Sequence, residues 1–200
     1  MTYILSFPPD HQWAVIAEPG LTWWLTSLAS LFSLPPGIIP YSRVVRISSL
    51  LPGDPVRSPD WQVIGSIYGK IAINTHTGSI EVGVPNEGDK KPEYLSWVTK
   101  ALFIAMMRVM LPTGSLLLHA ATLVRDGNAV LIAASSGGGK STSARRVPPP
   151  WTAPGDENAL VIPDPVGGYH VHVLPTPSKI TSGEKGLAWD VLQSYPLQAI

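Results

Sequence analysis

Two hundred residues with 44% hydrophobic content can bury a core as one domain, or as one domain with a smaller appended unit, without crosslinks. The absence of cysteine excludes disulfides, thiolate-held zinc and thiol catalysis, and fits a reducing, cytoplasmic setting. Fourteen basic residues balance fourteen acidic ones, so no net field directs the chain to nucleic acid or to an anionic membrane, and neither partner is expected.

Twenty-one prolines imply rigid turns and short elements rather than a helical bundle. The first residues have no basic region and break at Pro8-Pro9, unlike a secretory signal. Residues 3–7 read as a strand, and residues 21–34 (LTWWLTSLASLFSL) as a helix stopped by Pro35-Pro36. That apolar stretch is too short to span a bilayer and has no basic face, so it reads as a buried helix rather than an interfacial anchor. Residues 43–48 and 61–68 have strand character. Residues 70–74 and 79–84 flank Thr75-His76-Thr77-Gly78 as a hairpin, with His76 an exposed turn residue.

The segment 84–92 (VPNEGDKKP) is strong punctuation and divides the chain into an N-terminal α+β unit, residues 1–88, and a second unit, residues 92–200. The second unit starts with a helix over 93–110, because Leu95, Val98, Leu102, Ala105, Met106 and Val109 recur at helical spacing. Met106, Met107 and Met110 read as core filling. Residues 115–124 read as one strand that turns at Arg125-Asp126-Gly127-Asn128 and returns over 128–134. Residues 141–147 allow a short helix before Pro148-Pro149-Pro150, and residues 159–163 and 169–174 form a second hairpin. The final stretch, 186–200, places Leu187, Ala188, Trp189, Val191 and Leu192 on an apolar face with no polar tail behind it. The expectation is a shortened chain or a partner surface over that face, with self-association into a homo-oligomer.

The most informative segment is 131–142, LIAASSGGGKST. A strand runs into Ser135-Ser136-Gly137-Gly138-Gly139-Lys140-Ser141-Thr142, the layout of a phosphate-binding loop of the Walker A kind. Glycine lets backbone N–H groups approach a phosphate where a Cβ would stand in the way. Ser136, Gly137, Gly138 and Gly139 would surround the phosphates, with Thr142 behind them at the start of the helix. Lys140 would neutralise the β- and γ-phosphates, and Ser141 would ligate Mg²⁺. Gly139, Lys140 and Ser141 match the signature, whereas its first glycine is Ala134. Asp156-Glu157 precede the next strand, where a carboxylate can orient Mg²⁺ or accept a proton from an attacking hydroxyl. Away from such a loop the same pair would be a solvated turn. His119 on an apolar strand would, taken alone, be a satisfied core histidine. His170 and His172 share a strand face but show no third metal ligand, and Arg145 and Arg146 read as a solvated helix end.

His119 in LLLHAATL, the Asp-Gly hairpin, VLIAASSGGGKST, PPPW before Asp156-Glu157, and GGYHVHVLPTPS together resemble the HPr kinase/phosphorylase-like P-loop kinases. The likeness is to stand-alone relatives found with peptide-modification cassettes of the SynChlorMet type, and covers residues 115–178. It implies a mixed α/β fold, a kinase core on a mixed sheet related to phosphoenolpyruvate carboxykinase, with a small β-rich N-terminal unit. It also implies ATP and Mg²⁺ as cofactors and a serine hydroxyl of a small protein or peptide as acceptor. By this resemblance Asp156 is the general base, Lys140 and His119 act at the γ-phosphate, and Ser141 and Glu157 hold the metal. Glu157 replaces an aspartate of the family pair, and relatives continue beyond residue 200.

These readings converge on an ATP- and Mg²⁺-dependent serine kinase, a phosphotransferase. The alternative is a catalytically reduced nucleotide-binding regulatory module, for which Ala134 and Glu157 leave room. A hydrolysing NTPase would need an acid at the end of an apolar strand, and here the acid precedes the strand.

Overall fold

The computed structural model describes residues 1–8, 11–37, 43–49, 60–66, 69–84, 91–135, 137–184 and 186–200, which form two mixed sheets with helices packed on them, an α/β architecture. The first sheet contains β1 (Tyr3–Phe7), β2 (His11–Ala17), β3 (Val44–Ser49), β4 (Trp61–Ser66), β5 (Gly69–Asn74) and β6 (Ile80–Val84), ordered β1-β2-β3-β6-β5-β4. Its centre is parallel, β2 with β3 and β3 with β6, and its outer pairs are antiparallel. Helix α1 (Thr22–Leu31) makes the crossover that the β2–β3 pair requires, burying Trp24, Leu25, Leu28 and Leu31. The β5–β6 hairpin has the expected turn: the Asn74 side chain accepts the N–H groups of His76 and Thr77, and Gly78 takes a φ of +71°. Residues 67–68 of the expected strand and 85–90 of the expected boundary lie outside the described residues.

Helix α2 (Pro92–Met110) opens with proline in its first turn and Glu93 beside it. With the 3-10 turn that follows, it is long and apolar enough by composition to cross a membrane. Here Val98, Leu102, Ala105, Met106 and Met110 are buried in a core that includes residues of both sheets.

The second sheet contains β7 (Leu116–Leu118), β8 (Ala120–Arg125), β9 (Asn128–Ala133), β10 (Thr152–Gly155), β11 (Ala159–Pro163), β12 (Tyr169–Val173) and β13 (Ser194–Ala199). The order is β10-β8-β9-β13-β12-β11-β7, with only the β9–β13 pair parallel. The strand expected over 115–124 is therefore two strands, parted at His119. The reason is a change of partner: β8 pairs with β10 and β9, whereas β7 pairs with β11. Because β10 leads through three residues into β11, segments 116–125 and 152–163 form one long antiparallel ladder interrupted at its middle. His119 faces that interruption from one side and Asp156, Glu157 and Asn158 from the other. The sheet's two edge strands, β10 and β7, thus run on into interior strands, and the sheet bends back on itself.

Alternate residues of β11 divide the core. Leu160 and Ile162 join the large cluster with Leu5, Phe7, Trp13, Leu28 and Met106, while Ala159 and Val161 join a smaller one with Ala120, Leu131 and Val171. The apolar face at 187–192 is also corrected by the fold. Trp189 and Val191 are buried in the large cluster, Leu187 and Leu192 pack on it, and the Trp189 N–H donates to the Leu31 carbonyl at 2.8 Å. Ala188 stays exposed, and beyond these residues β13 lies inside the sheet.

Candidate functional site

Strand registers explain why distant segments meet. Ala120 pairs with Ala133, so the loop after β9 arrives beside His119. Gly155 pairs with Thr122, and Ala159 with both Leu118 and Val173. The turn 156–158 and the segment after β12 therefore reach the same break in the ladder. At that break a pocket of about 350 Å³ is lined by His119, Gly137, Gly138, Gly139, Lys140, Ser141, Thr142, Asp156, Glu157 and Ser178. Its volume lies at the lower end of the range for small-molecule sites. Of the residues singled out from the sequence for this site, only Ser136 lies outside the described residues.

The loop turns tightly. Gly138 N–H donates to the Ser135 carbonyl at 3.0 Å, and Gly137 and Gly139 take φ of +79° and +86°, which side chains disfavour. A Cβ on Gly138 would stand 2.7 Å from the Ala134 Cβ and 3.0 Å from the Ser135 oxygen. The methyl that replaces the signature's first glycine is thus accommodated by the missing side chain four residues on. Helix α3 (Lys140–Arg146) follows directly. Lys140 is 6% exposed, and its Nζ donates to the Ala134 and Ser135 carbonyls at 2.7 and 3.1 Å. An ammonium has three protons, so one donor remains for a ligand. Arg145 and Arg146 are exposed, and Arg145 Nε donates to the Ser141 carbonyl, within its own helix.

Across the pocket, His119 and Glu157 share a hydrogen bond of 2.7 Å between Nδ1 and the Glu157 carbonyl. A carbonyl only accepts, so Nδ1 carries a proton, and Nε2 is the ring nitrogen left for a ligand. His119 is exposed, which removes the core-histidine alternative. Both carboxylates take hydroxyl partners from the start of α4 (Pro177–Thr181) and the residue that precedes it. Asp156 Oδ1 accepts from Thr176 Oγ1 at 3.3 Å. Glu157 Oε2 accepts from Ser178 Oγ at 3.0 Å and from Ser178 N–H at 3.3 Å. In the sequence Thr176 and Ser178 stand out only as part of the GGYHVHVLPTPS stretch. Residues 175–185 carry no element assigned from the sequence; the signal that could have found α4 is Pro177, since proline in a first helical turn is a start signal.

Among the described residues no group of three His, Asp or Glu is placed to hold a metal ion. His172 donates from Nδ1 to the Val191 carbonyl at 3.0 Å and is packed edge-on against Phe7. Burial pushes its imidazole down to about 4. His170 instead pairs with Asp164 at 2.8 Å. The Asp164 carboxyl is held below the usual carboxylate range chiefly by the Val166 N–H, with His170 adding to the effect against its desolvation.

The family model described as SynChlorMet cassette protein ScmC matches residues 85–200, more than half of the chain and all of this pocket. Comparison with curated proteins gives no match.

Proposed function

For a chain that belongs to the SynChlorMet cassette protein ScmC family, we propose an ATP- and Mg²⁺-dependent kinase activity on a serine hydroxyl of a small protein or peptide. The observation that carries this reading is the convergence of the glycine turn, Lys140 and Ser141 with Asp156, Glu157 and His119 in one pocket. The HPr kinase-like resemblance supplies the reaction class, and the pocket supplies residues suited to it.

The donor set fits a hard cation. Ser141, Asp156 and Glu157 offer only oxygen, and magnesium is characteristically held by one or two carboxylates together with substrate phosphates. Ser141 and Glu157 would hold the ion, which when bound supplies charge neutralisation between the phosphates. Gly137, Gly138 and Gly139 leave room for phosphate oxygens near the backbone. The third proton of Lys140 meets the β- and γ-phosphates from inside the loop, already desolvated and positioned. Asp156, with Oδ1 held by Thr176, accepts the acceptor's proton at Oδ2, to which no hydrogen bond is assigned among the described residues. His119 fixes the turn at Glu157 through Nδ1 and presents Nε2 to the γ-phosphate side.

Purified chain with γ-labelled ATP, Mg²⁺ and a pool of serine peptides tests the reading. Transfer to peptide that disappears in Lys140→Ala supports it. ATP binding without transfer to any acceptor favours the regulatory-module alternative, and no ATP binding rejects both.

A further inference from the structure

We infer that Ser178 is itself an acceptor of the γ-phosphoryl group, in cis, and that its modification closes the pocket to nucleotide; this rests on the nucleotide reading above. Ser178 lines the same pocket as the glycine turn, Lys140 and Ser141. Its hydroxyl already donates to Glu157 Oε2 at 3.0 Å, within the reach a general base needs, and the residue is exposed. Thr176 is the informative contrast. It makes the equivalent contact with Asp156 but is 2% exposed, so its hydroxyl is enclosed and serves to position the carboxylate.

In the step, Ser178 Oγ bonds to the γ-phosphorus as the bond from that phosphorus to the β–γ bridging oxygen breaks. The electron pair leaves with the nucleoside diphosphate, and the hydroxyl proton passes to Glu157 Oε2; for this acceptor the two carboxylates exchange roles, Asp156 taking the place of Glu157 beside Ser141 at the metal. Attack from within the pocket carries no bimolecular cost. The product places a phosphate of nearly two negative charges beside Asp156 and Glu157, and also removes the Ser178 hydroxyl bond to Glu157. Like charge then opposes entry of another triphosphate.

The full chain, treated with γ-labelled ATP and Mg²⁺, is mapped by tandem mass spectrometry. Binding of a non-hydrolysable ATP analogue is measured by calorimetry on the parent, Ser178→Ala, Ser178→Glu and Lys140→Ala. The expected result is label on Ser178 with a first-order rate independent of protein concentration. Ser178→Glu should weaken analogue binding by about tenfold or more, and Ser178→Ala should not. Lys140-dependent binding with no label on Ser178, with a rate that rises with protein concentration, or with full affinity in Ser178→Glu overturns the inference while leaving the nucleotide reading in place. Binding that does not depend on Lys140 overturns both.

Discussion

Ala134 and Gly138 divide one small volume between them: the methyl of the first stands 2.7 Å from the position a Cβ on the second would take. The Ser135 carbonyl oxygen, which receives Gly138 N–H, would be 3.0 Å from the same Cβ. Gly138→Ala therefore forces the loop to move, at a cost of about 1–3 kcal/mol typical of overpacking. Nucleotide affinity should fall while the thermal melt keeps its shape. Ala134→Gly in the same chain should restore part of the affinity, and a double-mutant cycle measures the coupling. Strict additivity of the two changes would refute the shared-volume account.

Lys140→Ala should abolish productive nucleotide engagement. It removes the loop's charged donor, at about 1.5–3 kcal/mol in binding, and more in the transition state. It also strips the Ala134 and Ser135 carbonyls of their partner, so the loop itself should loosen. Equal ATP affinity in parent and variant, measured by calorimetry, would dismiss this pocket as the nucleotide site.

Asp156→Asn separates chemistry from binding. The amide can still accept from Thr176, so α4 keeps its anchor and nucleotide should bind. Transfer should drop by roughly 10²–10⁴-fold as basicity is lost. Glu157→Gln should instead weaken Mg²⁺-dependent binding. Unchanged transfer in Asp156→Asn would move the proton acceptor to Glu157 or remove the general-base role.

Stability should depend on pH through His172. Its folded value of about 4 lies below the usual 6.5 because burial disfavours the charged ring. Above 6.5 the contribution is complete. As pH falls toward 4 the unfolded chain takes up a proton that the folded chain refuses, and stability is lost. The two values imply about 3 kcal/mol across that window. Urea titrations of the parent at pH 7 and pH 4.5, set against His172→Leu, check this; equal slopes in both proteins would rule it out.

The hairpins and the glycine turn were legible because their determinants are local: an Asp-Gly pair at 126–127, an Asn74 turn, and three consecutive glycines. The division of 115–124 was not, since the apolar run is unbroken and only a change of pairing partner parts it at His119. Strand β13 was hidden for a similar reason. Its sequence, SYPLQA, has a proline and little apolar alternation, yet tertiary pairing with β9 and β12 places it inside the sheet. Strand β2 and helix α4 were obscured by neighbouring prolines. The members of the site were therefore readable one by one, whereas Ser178 and the reason for their convergence are properties of register.

The region that carries Ser178 is braced by α2 and, beyond it, by β1 and α1 of the first unit. Ser96 Oγ donates to the Pro177 carbonyl at 3.0 Å, Phe7 braces His172 at 5.0 Å between ring centroids, and Leu31 receives the Trp189 N–H. Excising the family region at residue 85 would uncover Leu160, Ile162, Val173 and Trp189, which share their core with Leu5, Phe7 and Leu28. Melting should accordingly be one cooperative event, and a fault introduced in the first sheet should be transmitted to the pocket at the break in the ladder as lost rigidity.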